Sequence, residues 1–172
     1  SHPILRQPYN ASPSHGSLTQ GYYIPNNNPW VNPNGSVLEE YYSIGLRNPH
    51  RISFDAPTGI WVGDVGYESR EEVDLIDGPG LNFQWSYREG TAAGFRTKPS
   101  PLIGTEREPV FDYSHSGSDS LGNCVIGGAV YRGAALPWLQ GKYIFGDNGA
   151  QGIHALEYDP ASGRASSVVQ IG

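Results

Sequence analysis

Short apolar runs recur along the chain from residue 37 onward, in the order of an apolar run, an Asp-containing turn, a second apolar run and a glycine. The clearest pair lies at residues 51–54 and 60–63, joined by the segment 55–59 (DAPTG). Two β-prone runs separated by a turn that contains Asp and Gly are typical of an antiparallel hairpin. The pattern therefore predicts a hairpin at residues 51–63.

The same order returns near the end of the chain. Residues 153–158 are followed by the turn 159–163 (DPASG) and by residues 167–171. Two copies of strand, Asp-containing turn and strand form a weak internal repeat, as in radially repeated β-blades. The whole pattern predicts about seven to nine strands, or about two to two and a half four-stranded blades. The other predicted strands, rich in β-branched and aromatic residues, are 41–44, 73–76, 82–85, 129–132 and 142–145.

The chain divides into two parts by composition. Residues 1–36 are polar and rich in Asn and Pro, and only the segment near residues 4–6 resembles a strand. We expect them to form an extended lead-in connection. Residues 37–172 are predicted to form consecutive blades of a single, incomplete domain, with residues 91–108 as a surface loop.

Composition supports this organisation. With 23 Gly, 14 Pro, 11 Tyr and 4 Trp among 172 residues, and 16% charged residues, the chain is unlike a helical bundle. The net charge is −6 and the 11 Lys and Arg residues are scattered, which argues against nucleic acid or anionic lipid as a partner. Cys124 stands alone, so it excludes an internal disulfide. No run of about 18 apolar residues predicts a membrane-spanning helix.

Several longer motifs carry a specific resemblance. In chain order they are residues 45–55 (GLRNPHRISFD), 63–67 (GDVGY), 71–76 (EEVDLI), 82–90 (NFQWSYREG), 109–113 (PVFDY), 127–133 (GGAVYRG) and 141–147 (GKYIFGD). Together they resemble the glucose/sorbosone dehydrogenase family of soluble quinoproteins over essentially the whole chain. The resemblance implies an all-β fold, a partial β-propeller of two to three four-stranded blades from a six-bladed ring.

The family resemblance also implies a setting for the chain. It implies a secreted or periplasmic protein, with any export signal outside the present sequence. Because two or three blades leave sheet edges open, we expect association with the remaining propeller blades or with a second copy of the chain, or else marginal stability. The implied small-molecule partner is a sugar or polyol, with no nucleic acid and no membrane insertion.

The resemblance assigns the first pair of site residues. It implies that Arg47 and Asn48 reach the central face where pyrroloquinoline quinone (PQQ) sits, as catalytic and cofactor-binding residues. A quinone that accepts hydride develops negative charge on its oxygens, and a guanidinium beside an amide stabilises that charge. The alternative is that Arg47 pairs with a carboxylate of a neighbouring blade.

The resemblance also implies a calcium site. The main-chain oxygens of Gly66 and Tyr67 are the expected Ca²⁺ ligands, with Asp64 as a possible carboxylate ligand and Tyr67 also facing the cofactor. Calcium takes about six to eight oxygen ligands and accepts main-chain carbonyls. Tyr67 stands where the family typically has Pro. Nearby acidic residues are interpreted as a solvated strand edge; these are Glu71, Glu72 and Glu89.

Two family features have no counterpart in this chain. The family's catalytic His lies on earlier blades, and its late-blade cofactor-holding Lys falls near residues 149–151, where no cation occurs. The histidines of this chain are therefore interpreted as polar surface or turn residues; these are His2, His15, His50, His115 and His154.

Three functions follow as hypotheses. The first is a fragment of a PQQ-dependent, calcium-assisted dehydrogenase that oxidises an aldose, sorbosone or polyol, inactive without the missing blades. The second is a non-catalytic extracellular carbohydrate- or protein-binding module, in which exposed Trp30, Trp138 and Tyr-rich loops contact the partner. The third is a structural role within a larger assembly. Cofactor retention and the upstream sequence discriminate among them.

Overall fold

Antiparallel strand pairing organises the computed structural model from its first described residues to its last. The structure describes residues 5–6, 24–25, 27–31 and 37–172. His2, His15 and most of the predicted lead-in lie outside the described residues, so the division at residue 36 stays a prediction. The strands are β1 (Leu5–Arg6), β2 (Ile24–Pro25), β3 (Ser43–Ile44), β4 (Pro49–Asp55), β5 (Gly59–Asp64), β6 (Arg70–Ile76), β7 (Leu81–Asn82), β8 (Arg88–Glu89), β9 (Ala92–Ala93), β10 (Thr105–Glu106), β11 (Phe111–Ser114), β12 (Val125–Val130), β13 (Tyr143–Asp147), β14 (Gly152–Asp159) and β15 (Arg164–Gln170).

Two four-stranded antiparallel sheets dominate the fold. The first blade has the strand order β11-β6-β5-β4, and the second blade has the order β12-β13-β14-β15. Both predicted hairpins are confirmed. In the first, the amide of Thr58 donates to the carbonyl of Asp55 at 3.0 Å. In the second, Gly163 donates to the carbonyl of Asp159 at 2.9 Å and has φ +72°, which glycine adopts without steric cost.

The main hydrophobic core lies between the two blades. Trp61 of β5 stacks on Tyr143 of β13 with ring centroids 4.6 Å apart. Gly63 and Gly127 allow the backbones to meet closely, because a Cβ on Gly63 would lie 2.6 Å from the Cα of Gly127. The buried residues of this core are Trp61, Val73, Leu75, Val110, Tyr113, Val125, Tyr143, Phe145 and Leu156.

A smaller core covers the other face of the first blade. It consists of Val62, Ile76, Leu81 and Phe83. Leu81 and Phe83 lie in the segment that follows β6. This segment also supplies the small hairpin β8–β9 and two strands, β7 and β10, of the parallel sheet β10-β7-β3. The first blade is thus covered on both faces, and polar residues on either face of its strands become buried.

Several predicted elements differ in extent. The strand predicted at residues 82–85 ends at Asn82, because the backbone of Gln84 has φ +77°. The backbone amide of Gln84 donates to Oδ1 of Asn82 at 2.8 Å. The strand predicted at 41–44 is reduced to Ser43–Ile44, and the loop predicted at 91–108 contains β9 and β10. Within the described part of the chain, no helix is long and apolar enough to cross a bilayer.

Candidate functional site

The loop of residues 65–69 joins β5 to β6 at one end of the first blade. Gly66 is required there, because a Cβ at this position would lie 1.6 Å from the carbonyl oxygen of Arg70. Its amide donates to Oε2 of Glu71 at 3.3 Å. The loop therefore passes so close to the start of β6 that only glycine fits.

Glu89 of β8 holds the same loop from a different segment. Its Oε1 accepts the amides of Tyr67, Glu68, Ser69 and Arg70 at 2.7, 2.9, 2.9 and 3.1 Å, and its Oε2 accepts the hydroxyl of Ser69 at 3.0 Å. Although burial raises its pKa, these donors outweigh burial and bring the pKa of Glu89 below its ordinary value. Glu89 is an ionised carboxylate that fixes the loop backbone.

The interpretation of the acidic residues as a solvated strand edge is wrong. Glu71 is fully buried, and Glu72 and Glu89 are 5% and 4% exposed. Burial of an acid requires partners, and each finds backbone amides: Glu71 accepts from Val125 at 2.9 Å and Glu72 from Gly90 at 2.7 Å. These acids face covered surfaces of the blade, which the alternation of the strand does not reveal.

Asp64 ties the predicted arginine and asparagine to the end of β5. Its two carboxyl oxygens accept the amides of Arg47 at 2.8 Å and Asn48 at 2.6 Å. Burial raises the pKa of Asp64 to about 6, against the opposing effect of these two amides. Asp64 therefore positions the turn that enters β4, and its assignment as a calcium ligand stays a prediction.

The guanidinium of Arg47 contacts the loop of residues 65–69 and does not pair with a described carboxylate of a neighbouring blade. Its Nη1 donates to the carbonyl oxygen of Val65 at 2.9 Å. The guanidinium carbon lies 5.2 Å from the ring centroid of Tyr67 and 5.3 Å from that of Trp85. No ion pair joins it to a carboxylate of the described residues. The fold thus brings four predicted site residues, Arg47, Asp64, Gly66 and Tyr67, together, with Asn48 exposed beside them.

An aromatic cluster of Tyr67, Trp85 and Phe95 borders the guanidinium. The three ring centroids lie 5.4 to 6.0 Å apart, and the side chains of Tyr67 and Phe95 are 51% and 63% exposed. Phe95 lies in the region predicted as a surface loop, so its sequence context gave no signal of this role. Only the tertiary structure places these rings beside Arg47.

Three buried carboxyl side chains, Asp64, Glu72 and Asp74, lie on the face of the first blade that carries the smaller core. Asp64 of β5 pairs across the sheet with Glu72 of β6, and Asp74 follows two residues later on the same face. Asp74 is fully buried, and neither of its carboxyl oxygens accepts a hydrogen bond from a described residue. Burial raises the pKa of Glu72 to about 8 and that of Asp74 well above its ordinary value, and neighbouring carboxylates reinforce both shifts.

A polar cavity of about 370 Å³ lies beside Glu71. Oε1 of Glu71 contacts Nε2 of His115 at 2.7 Å, and His115 lines the cavity together with Asn123, His154 and Gln170. His154 is 3% exposed, so the interpretation of this histidine as a surface or turn residue is wrong. Burial lowers its pKa, which keeps the imidazole neutral at pH 7. It stacks on Phe145 because β13 and β14 pair these two residues.

The fit of this site to calcium depends on its backbone. Among the described residues, no group of three or more His, Cys, Asp or Glu side chains is arranged to hold a metal ion. The carbonyl oxygens of Gly66 and Tyr67 accept no hydrogen bond from a described residue. Main-chain oxygens suit a hard cation such as Ca²⁺, so the loop fits the predicted ligand type.

Comparisons with known proteins identify the family of the chain. A family model described as Glucose / Sorbosone dehydrogenase matches residues 16–170. The HIPL1 protein of Arabidopsis thaliana is 36% identical over 155 residues, which cover 84% of this chain but 22% of the relative. The chain therefore spans about a fifth of that relative's length.

Solved structures show the fold. A glucose dehydrogenase aligns over 95% of this chain and 48% of its own, with a TM-score of 0.65 and 21% identity. The PQQ-bound aldose sugar dehydrogenase of Streptomyces coelicolor aligns over 85% of this chain and 35% of its own, with a TM-score of 0.54 and 18% identity. The prediction of an all-β, partial propeller is confirmed.

Proposed function

The chain belongs to the glucose/sorbosone dehydrogenase family, and from this membership we propose that it forms part of a propeller that oxidises a sugar or polyol with PQQ and calcium. It contributes a cationic side chain toward the cofactor and a main-chain loop toward the metal. Because the family's catalytic His lies on earlier blades, we expect this chain to be inactive by itself. In keeping with the family, we propose a secreted or periplasmic location.

One observation carries the proposal. The hydrogen bond from Arg47 to the carbonyl of Val65, together with the contact of its guanidinium with the Tyr67 ring, joins the predicted cofactor residue to the predicted metal loop. Residues 47 and 65 are 18 apart in sequence, and the shared acceptor Asp64 holds their two segments together. A cofactor that contacts both a metal and a cation needs this proximity.

The chemistry of Arg47 suits a planar anion. When bound, PQQ supplies the quinone that accepts hydride from the sugar. Arg47 offers a guanidinium whose position is already set by Val65 and two aromatic rings, so it requires little reorganisation when negative charge develops nearby. Asn48 is exposed next to it and offers a neutral donor. Residues 149–151 carry no cation, whereas Arg47 offers one beside the proposed metal loop.

The role of the loop is to hold the metal through Gly66 and Tyr67. Their carbonyl oxygens are not used by donors within the described residues, and Glu89 holds the loop on its other side. The buried Asp64 stabilises the base of the loop through two amides and leaves the loop oxygens to the cation. Water and the remaining blades complete the coordination in this proposal.

A second function is favoured by a separate observation. Tyr67 and Phe95 expose more than half of their surfaces, and Trp138 is 57% exposed, whereas Trp30 is half-buried. Exposed aromatic faces bind sugar rings and protein partners without any cofactor. A non-catalytic extracellular module for carbohydrate or protein binding is therefore the alternative function.

The partner proposed for the second blade is another blade or a second copy of this chain. Its outer face exposes apolar side chains, with Ile153 at 48% and Val169 at 47%. The same face lines an open depression with Ile126 and Ile144. A closed ring of blades would cover this surface.

The test is a titration of PQQ and Ca²⁺, followed by the absorbance of the cofactor. It uses this chain alone and the chain extended by its upstream blades. We expect saturable, calcium-dependent binding that Arg47→Ala weakens at least tenfold, because it removes the fixed cation. Arg107→Ala is the matched control, since Arg107 pairs with Asp77 at 2.6 Å and we expect no change in binding.

The two functions predict opposite outcomes in this titration. If the extended protein binds no PQQ with calcium present, the dehydrogenase proposal fails and the binding module is favoured. Binding that is equally weakened by Arg47→Ala and Arg107→Ala would contradict the role of Arg47.

A further inference from the structure

The two peptide units on either side of the Tyr67 Cα decide where the loop oxygens point. The carbonyl of Gly66 and the amide of Tyr67 belong to one peptide unit, and the carbonyl of Tyr67 and the amide of Glu68 belong to the next. In a trans peptide the N–H and C=O groups point in opposite directions. Neither unit is among the cis peptides of the described residues, which occur at Trp85–Ser86 and Ser100–Pro101.

Both amides of these units donate to the same oxygen. Oε1 of Glu89 accepts them at 2.7 and 2.9 Å. The two carbonyl oxygens therefore point away from Glu89. No described residue donates a hydrogen bond to either of them. The orientation of both candidate metal ligands thus follows from one carboxylate, 22 residues along the chain from Tyr67.

The charge of Glu89 acts on the same peptide units. Its side chain is buried and accepts five hydrogen bonds, which favour its ionised form. Hydrogen bonds to an ionised acceptor are stronger than neutral ones, and they polarise the donor group. An amide polarised in this way carries a more negative carbonyl oxygen at its other end, which strengthens that oxygen as a cation ligand.

We propose that Glu89 is a positioning residue for calcium, which orients and polarises the main-chain oxygens of Gly66 and Tyr67 without touching the metal. The inference rests on the proposed function, because it assumes that calcium binds at this loop. In this inference Glu89, which lies outside the loop, sets the calcium affinity of the site through the dipoles of two peptide units.

The experiment compares Glu89→Gln with Glu68→Gln in the chain extended by its upstream blades. Gln retains an oxygen of the same shape that can accept the amides, but it lacks the charge. Glu68 is exposed in the same loop, so its variant loses the same charge without releasing these amides. The probe is Tb³⁺, whose emission is sensitised by nearby Tyr67 and Trp85, with Ca²⁺ as the competitor.

We expect Glu89→Gln to weaken Tb³⁺ and Ca²⁺ binding at least tenfold, and Glu68→Gln to change it less than twofold. The emission lifetimes in H₂O and D₂O should show that the Glu89 variant admits additional water to the metal, which a loss of stability alone would not do. If Glu89→Gln fails to fold, Ser69→Ala removes only the hydroxyl bond to Oε2 and should weaken binding about twofold to threefold, since one of five bonds to a charged acceptor is lost.

The outcomes separate the two proposals. If the unmodified protein binds neither Tb³⁺ nor Ca²⁺, the calcium part of the proposed function fails, and this inference fails with it. If the protein binds both ions and Glu89→Gln binds them equally well, or no more weakly than Glu68→Gln, only the role of Glu89 is overturned.

Discussion

The two blades end their second strands with nearly the same sequence, residues 63–66 (GDVG) and 146–149 (GDNG), yet they anchor the following loops differently. In both blades the aspartate accepts amides just before the first strand. Asp147 accepts those of Asn123 at 3.3 Å and Cys124 at 3.0 Å, as Asp64 does for residues 47 and 48. In both blades, the aspartate at the end of the second strand therefore holds the segment that precedes the first strand.

The loops after these aspartates differ in their acceptors. Asp147 also accepts the loop amides of Gly149 at 2.7 Å and Ala150 at 3.1 Å, so the second loop closes on its own strand. The first loop is held by Glu89, which lies on β8. The same motif therefore begins two different loops. The loop with the candidate metal ligands is the one whose amides are accepted by a residue distant in sequence, Glu89.

The electrostatic surroundings of the two aspartates also differ. Asp64 lies opposite Glu72, whereas Asp147 lies opposite Gly152. Burial by itself would raise the pKa of both carboxyls. For Asp147, the hydroxyl of Tyr113 at 2.6 Å and the backbone amides outweigh burial and bring the pKa below its ordinary value, whereas that of Asp64 rises to about 6.

The largest expected effect comes from the loop glycines. Gly66→Ala places a Cβ against the backbone carbonyl of Arg70, so we expect a loss of about 2–4 kcal/mol in the free energy of unfolding. Gly149→Ala meets the side-chain oxygen of Asn123 at 2.0 Å, which can rotate away, so a loss of about 1 kcal/mol is expected. Urea denaturation measures both. Gly78→Ala, with no heavy atom within 4 Å, is the control. Equal losses at residues 66 and 149 would contradict the comparison.

The second effect concerns the two aspartates. At pH 7 we expect Asp147→Asn to lower the free energy of unfolding by about 1–3 kcal/mol, because it weakens charge-assisted bonds to five donors. Asp64→Asn should cost less, since the ionised form of Asp64 is disfavoured by burial and by nearby acids. Denaturation of both variants by guanidinium at constant pH provides the measurement. A greater loss of unfolding free energy for Asp64→Asn than for Asp147→Asn would show that the fold does not destabilise the ionised form of Asp64.

The smallest effect is a change of stability with pH that comes from Glu72 in the first blade. Because burial raises the pKa of Glu72 to about 8, the folded state holds a proton there that the unfolded state has released. The contribution of Glu72 to stability should be fully present below its unfolded pKa of 4.5. It should fall as pH rises from about 5 to about 8, by at most about 1.4 kcal/mol per pH unit for one proton, and level off above the folded pKa. Glu72→Gln should flatten this slope, as thermal unfolding at several pH values would show. Glu106→Gln, on the exposed pair with Lys98, should leave the slope unchanged.

The sequence predicted the candidate site only in part. Arg47, Asn48, Asp64, Gly66 and Tyr67 came from motifs within about 20 residues of one another, and the structure brings these positions together. Glu89 was named but misinterpreted as solvated. Its partners lie in a loop that precedes it by about 20 residues, and no local pattern reports which segment will cover a strand.

What the sequence by itself determined is the β-hairpins, their Asp- and Gly-containing turns and the resemblance to propeller blades, because strand alternation and turn chemistry are local properties. Only the tertiary structure decided which polar residues are buried. The first blade is covered on both faces, so segments distant in sequence shield Glu72 and Asp74 from water. His154 is buried on the covered face of the second blade, against Phe145. For the same reason, only packing decided that Glu89 accepts the amides of the loop of residues 65–69.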